Sequence, residues 1–405
     1  MGHLIVVGAG AAGLMAAGAA LEQGHTVTLL EHEEKPGKKI LVTGKGRCNV
    51  TNDCDLETFL QNVRTNPRFL YSAFSAFDTA AAMALFEGLG VPLKVERGRR
   101  VFPVSDRAED IRRALVRYAA GAELHTEEVT KLLLEEGRCV GVSCQSGRQY
   151  RGDWVLVATG GVSYPGTGSR GAGYALARQA GHTVRPPVPS LVSLVAQGGE
   201  CRRMMGLALK NVGLTLYQDG KSIFQEQGEA LFTHFGLSGP LVLSASAHLG
   251  DLAKHRYEVG FDLKPALSHE QLYARLNRDL TALANRDAAN CLVKLLPASM
   301  QPVMVERWGV DPAKKANQLT KEERLALVDL MKDFRIRIRD RGDLEHAVIT
   351  SGGVAVKEVD PRTMASKKCP GLYFAGEVLD VDAYTGGYNL QIAWCTAQAA
   401  ARGLA

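Results

Sequence analysis

The chain has 405 residues, of which 46% are hydrophobic and 22% charged, and its formal net charge is +5. That length and balance predict two or three structural units with sizeable cores, and they exclude a disordered chain or a small disulfide-stapled one. A charge this mild suits anionic small molecules and does not by itself argue for nucleic-acid binding.

Eight cysteines are scattered along the chain without CxxC or Cys/His metal-ligand spacing. They are typical of reduced thiols, and no metal site is expected. No stretch approaches the roughly 18 apolar residues of a membrane span. The first residues enter a strand at once and leave no room for a signal peptide. We therefore expect a cytoplasmic protein without a membrane partner.

The first thirty residues read as strand, tight turn, helix and strand, with strands at His3–Val7 and Thr26–Glu31 and a helix over 11–23. Further predicted elements are a helix over 68–89, a hairpin over 91–105, a helix over 106–120, a small β meander over 122–150, a buried strand over 153–161 and a helix over 168–181. A proline-rich linker at 185–190 then marks a boundary. A β-rich stretch (190–263), charged helices (268–333), the strand "FRIRIRD" and a closing strand–glycine–strand–helix region (347–405) complete the chain.

The sequence "GAGAAG" places Gly8, Gly10 and Gly13 in GxGxxG register between a strand and a helix. In this context the first glycine permits the turn, the second lets a pyrophosphate approach the backbone, and the third lets helix and strand pack closely. Glu31 ends the next strand, 18 residues after Gly13. Its carboxylate can accept both hydroxyls of an adenosine ribose and would repel a 2′-phosphate, which predicts FAD or NAD rather than NADP.

A second literal match, "GTGSRG", contains Gly166, Gly168 and Gly171. Pro165 precedes it instead of a strand, and no strand-ending acid follows at the required distance. We interpret it as a flexible loop and helix start near the cofactor, so the chain has one dinucleotide domain.

Two other segments favour FAD. An apolar strand ends in "ATGG", where a backbone can lie against a cofactor, and "GLYFAGEVLDVDAYTGGYNLQIA" brings Gly376, Gly386 and Gly387 to the entrance of a long helix. The N-terminus of that helix could direct N–H groups at the pyrimidine edge of a flavin and stabilise negative charge there.

Six segments together resemble one family: "GAGAAGL", "GKKILVTGKGRCNVTN", "GRRVFPVSD", "ATGGVSYPGTGSRGAGYALARQAGH", "LFTHFGLSGP" and "PGLYFAGEVLDVDAYTGGYNLQIA". This family is the three-domain bacterial flavoproteins of the aminoacetone-oxidase type, relatives of the flavoprotein of bile-acid dehydroxylation operons. The resemblance implies an α/β fold: a glutathione-reductase-type, FAD-binding Rossmann domain (1–190 and 345–405). It is interrupted by a β-rich, barrel-like domain (191–265 and 334–344) and a small helical domain (266–333).

Motifs and resemblance together assign FAD contacts along the whole Rossmann domain. The candidates are Gly8, Gly10, Ala11, Ala12 and Gly13 at the pyrophosphate, Glu31 at the adenosine ribose, Lys39, Thr43, Gly44, Arg47, Cys48 and Asn49 along the cofactor, Val129 near the adenine, Ala158, Thr159 and Gly160 against the backbone, Gly376, Glu377 and Asp380 by the ribityl chain, and Gly387, Tyr388, Asn389 and Leu390 by the flavin. Lys45 and Ala383 stand where the family has glycine, which leaves the backbone contacts of their loops open. No catalytic residue is assigned, and His234 and Tyr384 are candidates for substrate contact.

The leading hypothesis is an FAD-dependent oxidoreductase that transfers a hydride between a small organic substrate and flavin. The family implies either oxidation of a small amine, such as aminoacetone, by O2, or NAD(P)H-dependent reduction of an unsaturated substrate. These reactions need opposite electron flow, and the residues do not separate them.

Two alternatives remain. Cys48 and Cys54 could form a redox dithiol, or Cys48 alone, beside Arg47, could have a lowered pKa. The third hypothesis is a non-enzymatic flavin-binding regulator associated with nucleic acid, suggested by Arg335, Arg337 and Arg339 on one strand face. We favour a solvated face as the explanation of those arginines, so no nucleic-acid partner is expected.

Overall fold

The computed structural model describes residues 1–404, apart from the side chain of His346. The chain forms two compact units, Met1–Ser190 together with the segment from Leu344 onward, and Leu191–Asp343. The strands are β1 His3–Val7, β2 Thr26–Glu31, β3 Thr51–Asn52, β4 Leu93–Glu96, β5 Arg100–Pro103, β6 Glu123–Thr126, β7 Val129–Glu135, β8 Arg138–Cys144, β9 Gln149–Arg151, β10 Trp154–Val157, β11 Val184–Ser190, β12 Leu194–Ala196, β13 Ala208–Gln218, β14 Lys221–Phe232, β15 Gly236–Ser238, β16 Tyr257–Asp262, β17 Phe334–Arg341, β18 Ile349–Val354 and β19 Leu372–Phe374. The helices are α1 Ala11–Glu22, α2 Leu56–Asn62, α3 Tyr71–Ala76, α4 Thr79–Gly88, α5 Ala108–Tyr118, α6 Ala172–Gln179, α7 Glu200–Arg203, α8 Pro240–Ser246, α9 His269–Ala282, α10 Gln301–Trp308, α11 Lys321–Lys332 and α12 Tyr388–Arg402.

A five-stranded parallel sheet with the order β19-β10-β1-β2-β6 forms the centre of the first unit. β1 and β10 are almost completely buried apolar runs, as expected for parallel strands covered on both faces. α1 packs against α12 and α5, and a Cβ at Gly18 would lie 2.1 Å from the ring of Tyr118 at the end of α5, so a small residue is needed there. This is the Rossmann core that the GxGxxG pattern predicts.

The region predicted as one meander divides between two sheets. β6 joins the parallel sheet beside β2, whereas β7, β8 and β9 form a separate antiparallel sheet. Only the part that forms β7, β8 and β9 has the short, turn-separated strands that the sequence pattern predicts.

The interpretation of residues 185–190 as a linker is wrong, because they belong to β11, which pairs antiparallel with β18. The ladder is irregular between Arg185 and Val188, where Pro186 and Pro187 have no N–H to donate. Ser190 lies opposite Ile349, so the chain leaves the first unit and returns to it at neighbouring positions.

The helix predicted over 68–89 is interrupted. A 3₁₀ turn at Pro67–Leu70 leads into α3, and α4 begins anew after Asp78, whose carboxylate accepts a hydrogen bond from the Ala81 N–H at 2.8 Å.

In residues 1–404 no single helix is long and apolar enough to cross a membrane. One pair of helical segments bent by 46°, Pro67–Ala76 with Thr79–Gly88, meets that test when the two are taken together, by length and composition.

The second unit contains a closed barrel with the strand order β12-β15-β14-β13-β16-β17. Its interior holds Leu214, Leu216, Phe232, Phe261 and Phe334, all fully buried. The helices α9, α10 and α11 pack into the same hydrophobic cluster as the barrel. The β-rich architecture is as predicted, and the further division into a barrel domain and a helical domain stays a prediction.

Candidate functional site

A cavity of about 1390 Å³, counting the space open at its mouth, lies in the first unit where the parallel strands end. Val7 ends β1, Glu31 ends β2, and Ala158 and Ala375 follow β10 and β19; all four line the cavity. Ligands of open α/β sheets bind at this edge. The predicted site residues that line it are Gly8, Gly10, Ala11, Ala12, Glu31, Lys39, Thr43, Val129, Ala158, Thr159, Gly160, Gly376, Glu377, Asn389 and Leu390.

The three fingerprint glycines have different surroundings. Gly8 has φ +100°, and a Cβ there would lie 2.8 Å from the Ala158 carbonyl oxygen. A Cβ at Gly13 would lie only 1.8 Å from the Gly8 carbonyl oxygen, whereas a Cβ at Gly10 would meet nothing within 4 Å. Gly10 also caps α1 without a side-chain hydrogen bond, so the first N–H groups of the helix face open space. This arrangement fits a pyrophosphate at Gly10.

Glu31 is held in place by the backbone around it. Its carboxylate accepts hydrogen bonds from the Ala9 N–H at 2.7 Å and the Glu33 N–H at 3.0 Å. Glu33, Glu127 and Glu128 line the same end of the cavity. A concentration of carboxylates here suits ribose hydroxyls and disfavours an additional phosphate.

A partly buried ion pair forms another wall of the cavity, with the side chains of Lys39 and Glu377 22% and 13% exposed. The Lys39 Nζ lies 2.7 Å from a carboxylate oxygen of Glu377 and donates to the Ser163 hydroxyl at 2.7 Å. Ser163 donates to the other Glu377 oxygen at 2.7 Å, and the Thr350 N–H donates to that same oxygen at 2.9 Å. Burial alone would raise the pKa of Glu377, but the Lys39 cation and these donors outweigh burial and lower the pKa. Glu377 is therefore ionised and cannot serve as a proton donor at neutral pH.

The loop after β10 supplies a polar group with no protein partner. Thr159 lines the cavity, and its Oγ1 is buried without a hydrogen bond to any group in residues 1–404. Such a hydroxyl is satisfied when a ligand atom binds beside it. The "GTGSRG" segment also reaches the cavity through Gly168 and Arg170, and it follows a 3₁₀ turn at Pro165–Thr167 rather than a strand.

The other predicted residues do not line the cavity: Gly13, Gly44, Arg47, Cys48, Asn49, Asp380, Gly387 and Tyr388. The Arg47 guanidinium pairs with Glu96 and Asp106 and lies 4.2 Å from the centre of the Phe102 ring. Those partners direct its charge away from the cavity. Roles of these eight residues toward a cofactor stay predictions.

Cys48 and Cys54 are both buried. Burial raises the pKa of Cys48 to about 12 and that of Cys54 to about 11. A lowered pKa for Cys48 is therefore wrong, because no cation offsets the desolvation and Arg47 is held by its carboxylates. Thiols of this kind are almost entirely protonated at neutral pH and are poor nucleophiles.

The glycine-rich loop before α12 is fixed by its own contacts. A Cβ at Gly387 would lie 2.3 Å from the Thr51 carbonyl carbon, and Asn389 exchanges hydrogen bonds with the Ala383 N–H and carbonyl at 2.9 and 2.7 Å. Ala383 does not need a glycine conformation, whereas Lys45 takes a positive φ of 59°. Asp380 accepts a hydrogen bond from Asn66 instead of facing the cavity.

Further cavity residues were not predicted, although most adjoin predicted ones at strand ends. They are Val7, Ala9, Leu30, His32, Glu33, Lys35, Gly37, Lys38, Ile40, Glu127, Glu128, Ala172, Val348, Ile349, Ala375 and Ala393, whereas Thr167, Gly168, Ser169 and Arg170 belong to the loop predicted to lie near the cofactor. Of the two candidates for substrate contact, His234 is exposed in the second unit, with its ring centre 5.0 Å from that of Phe235. Tyr384 is half-buried in the first unit, where Arg64 lies 5.8 Å from its ring centre.

A family model described as "HI0933-like protein Rossmann domain" matches residues 2–403. The chain is 32% identical over 422 residues to the 3-dehydro-bile acid delta(4,6)-reductase of Clostridium scindens, covering 100% of this chain and 99% of that protein. It is also 32% identical over 407 residues to the ribosomal RNA dihydrouridine synthase of Escherichia coli K12, covering 99% and 97%. The same name belongs to a Haemophilus influenzae relative that is 32% identical over 405 residues, covering 98% and 97%.

Solved structures show the likeness of fold. A quinol-fumarate reductase with menaquinol molecules aligns with a TM-score of 0.54 at 17% identity, covering 100% of this chain and 70% of that one. The 3-ketosteroid delta1-dehydrogenase from Sterolibacterium denitrificans aligns with a TM-score of 0.50 at 13% identity, covering 100% and 99%.

Proposed function

The chain belongs to the HI0933-like family of Rossmann flavoproteins, as the resemblance of its motifs indicated, and it is an oxidoreductase; from that premise we propose that it reduces a carbon–carbon double bond conjugated to a carbonyl group. The observation that carries this proposal is the chemistry shared by its full-length relatives. A delta(4,6)-reductase of a 3-dehydro bile acid and a dihydrouridine synthase are both named for saturating such a bond. In each, the carbonyl makes one alkene carbon electrophilic, and a hydride with a proton completes the reduction.

We propose FAD as the cofactor. When bound, FAD supplies hydride transfer to or from a substrate carbon. The residues that would hold it are Glu31 at the ribose, the N–H groups beside Gly10 at the pyrophosphate, and the Thr159 hydroxyl, whose partner is missing from the described chain. Lys39 and Glu377 would keep a fixed pair of charges at the wall and exclude water from it.

We propose the uracil ring of a ribosomal RNA uridine as the substrate. Two relatives that cover almost the entire chain carry the name ribosomal RNA dihydrouridine synthase. This departs from the expectation of no nucleic-acid partner, which rested on the mild net charge and on the interpretation of Arg335, Arg337 and Arg339 as a solvated face. A local concentration of cations matters more for RNA binding than the net charge of the whole chain.

NAD(P)H is the proposed electron donor. FAD would take the dinucleotide-binding turn at Gly8–Gly13, so the nicotinamide would bind transiently and leave after reduction. The reverse chemistry, oxidation of a small amine by O2, is the competing outcome of the same experiment.

The experiment starts from purified protein and its visible spectrum. Anaerobic addition of NADPH or NADH should bleach the flavin band, and ribosomal RNA from a strain lacking the gene should re-oxidise it. Mass spectrometry of nuclease digests should then show uridine gaining two hydrogens. A 3-oxo-4,6-diene steroid and aminoacetone are run in parallel.

Each outcome supports or removes a specific part of the proposed function. Re-oxidation by the steroid alone would retain the conjugated-alkene reductase and remove RNA as substrate. Bleaching by aminoacetone with re-oxidation in air, and no bleaching by NAD(P)H, would replace the proposal with an amine oxidase. Protein without bound flavin would remove the proposal altogether.

A further inference from the structure

We propose that the barrel unit carries an RNA-docking surface, here called the arginine–aromatic face, formed by Arg202, Met205, His234, Phe235, Arg337 and Arg339. The inference rests on the proposed function, since it names where the RNA around a target uridine would be held.

Strand pairing brings these residues together. Ala196, at the end of β12, donates its N–H to the Phe235 carbonyl at 3.0 Å on one side. The next residue, Gln197, donates its N–H to the Arg337 carbonyl at 2.9 Å on the other side. The backbones of Phe235 and Arg337 are therefore about two strand spacings apart, or roughly 10 Å.

The helix α7 extends the face. It follows β12 directly and carries Arg202, and Met205 comes just after it. The Gly206 N–H donates to the Phe232 carbonyl at 2.9 Å, which holds Met205 beside the turn that contains His234.

The apolar members are exposed although a large core is available. Met205 is 62% and Phe235 is 38% exposed, and His234 is exposed with its ring edge-on to Phe235. Exposed aromatic rings cost free energy unless a partner covers them, and bases of unpaired RNA stack on such rings.

Two of the three arginines of the face have no acidic partner among residues 1–404. Arg335 pairs with Asp333 at 2.7 Å and lies 3.3 Å from Glu258, and Glu258 is also 3.3 Å from Arg337, which is 74% exposed. Arg202 and Arg339 make no side-chain hydrogen bond or ion pair within residues 1–404. By contrast, neighbouring Arg203 is fully paired with Glu306 at 2.6 Å.

Alternation along β17 separates core and surface. Ile336 and Ile338 point into the barrel, so Arg337 and Arg339 point outward together. Arg337 has an acidic neighbour in Glu258, as it would on a purely solvated face, but such a face has no need of the exposed apolar side chains of Met205 and Phe235. Guanidinium groups bind phosphates and an exposed phenyl ring stacks on bases, so arginines and a phenylalanine carried by neighbouring segments match single-stranded RNA.

The test compares two triple variants of the full-length holoprotein. The first is Arg202→Gln, Arg337→Gln and Arg339→Gln. The matched control is Lys221→Gln, Arg278→Gln and Lys294→Gln, which removes three exposed cations elsewhere on the same unit. Bound FAD and the unfolding temperature are measured first to verify folding. Binding of labelled single-stranded oligouridine is then followed by fluorescence anisotropy across a salt series.

The face variant should bind at least about tenfold more weakly, and the slope of log K against log salt should fall by about 2 to 3. The control should keep most of the wild-type affinity. Phe235→Ala should weaken binding with the salt slope unchanged, because stacking releases no counterions.

Equal affinity of the face and control variants would overturn the surface, as would no binding by the wild type. Dihydrouridine formation separates the two proposals. If all variants convert RNA equally well, the proposed function stands and the surface falls. If the face variant loses binding while wild-type protein forms no dihydrouridine, the surface stands and the uridine substrate falls.

Discussion

At the residue scale, Gly10 and Gly13 belong to one motif but have opposite surroundings. A methyl group fits into open space at Gly10 and collides with the Gly8 carbonyl oxygen at Gly13. Gly10 has a φ of −80°, which alanine also adopts, so the helix start can form without glycine there.

Gly10→Ala should therefore leave the free energy of unfolding of the apoprotein within about 0.5 kcal/mol of wild type while lowering FAD content. Gly13→Ala should destabilise the apoprotein by about 2 kcal/mol or more through overpacking. Urea unfolding of the flavin-free protein and the flavin-to-protein absorbance ratio measure the two effects. Equal destabilisation by both would contradict an open approach at Gly10.

The Lys39–Glu377 pair gives a second prediction. Lys39→Met should cost about 2 kcal/mol of stability, because it leaves the Glu377 carboxylate buried without its cation. The double variant Lys39→Met with Glu377→Gln should recover much of that loss, since neither charge remains. Denaturant unfolding of both forms measures the coupling. Single and double variants of equal stability would mean that the pair is not coupled.

Cys48 provides a test of the dithiol alternative. With its pKa raised to about 12 by burial, native protein at pH 8 should react with iodoacetamide far more slowly than unfolded protein. Cys48→Ser with Cys54→Ser should retain reduction of the flavin by NAD(P)H. Rapid alkylation of Cys48 in the native state, located by peptide mass spectrometry, would revive a thiol mechanism.

At the element scale, the sequence pattern predicted whether most elements are helices or strands. The residues at which they begin and end depend on side-chain caps and long-range pairing, which the pattern does not show. Apolar periodicity runs through residues 68–89, but Asp78 binds the Ala81 N–H and starts a new helix. Pro186 and Pro187 favoured the prediction of a linker, because a paired strand seldom contains proline. In the structure, the irregular pairing of β11 with β18 accommodates both residues. Pairing between residues about 165 positions apart leaves no trace in a local pattern.

The break before α4 can be measured. Asp78→Ala removes the N-cap acceptor and should lower stability by about 1 kcal/mol. Glu87→Ala, at an exposed position in the same helix, should change stability by less than half of that amount. Thermal unfolding of both variants distinguishes a cap from a general effect of losing a carboxylate.

For the site, as for the fold, local sequence patterns identified residues near a motif and did not identify residues placed by long-range pairing. Local motifs sufficed for Gly8, Gly10 and Glu31, since strand–turn–helix geometry fixes where they lie. They failed for Val348 and Ile349, which reach the cavity through the long-range pairing of β18. They also could not show the ion pairs of Arg47, because its partners Glu96 and Asp106 lie on and after a hairpin some fifty residues away.

At the scale of the whole molecule, ion-paired carboxylates couple stability to pH. The Arg112 guanidinium lowers the pKa of Glu109 to about 2, against the effect of burial, with help from Arg113. The folded-state pKa lies below the unfolded one, so this stabilisation is complete above about pH 5 and is lost as pH falls toward 2.

As far as Glu109 is concerned, the unfolding temperature should be nearly constant from pH 7 to pH 5 and should decrease at pH values below about 4. Glu109→Gln should lower stability at pH 7 by roughly 1 kcal/mol and reduce the difference between pH 7 and pH 3. Glu57→Gln, an exposed position without an ion pair in residues 1–404, serves as the control. A pH profile of Glu109→Gln parallel to wild type would contradict the role of this pair.

The pairing of β11 with β18 means that one unit is completed only after the other has been made. The cavity walls come from residues 7–43, 127–172 and 348–393, with the 153-residue barrel unit, Leu191–Asp343, between the second and third. On the ribosome, the Gly8 turn and Glu31 emerge before the barrel unit, whereas Gly376, Glu377 and Asn389 emerge only after it. A ligand that contacts all of these walls can therefore bind only after the barrel unit has been synthesised, and until then one wall of the cavity is missing.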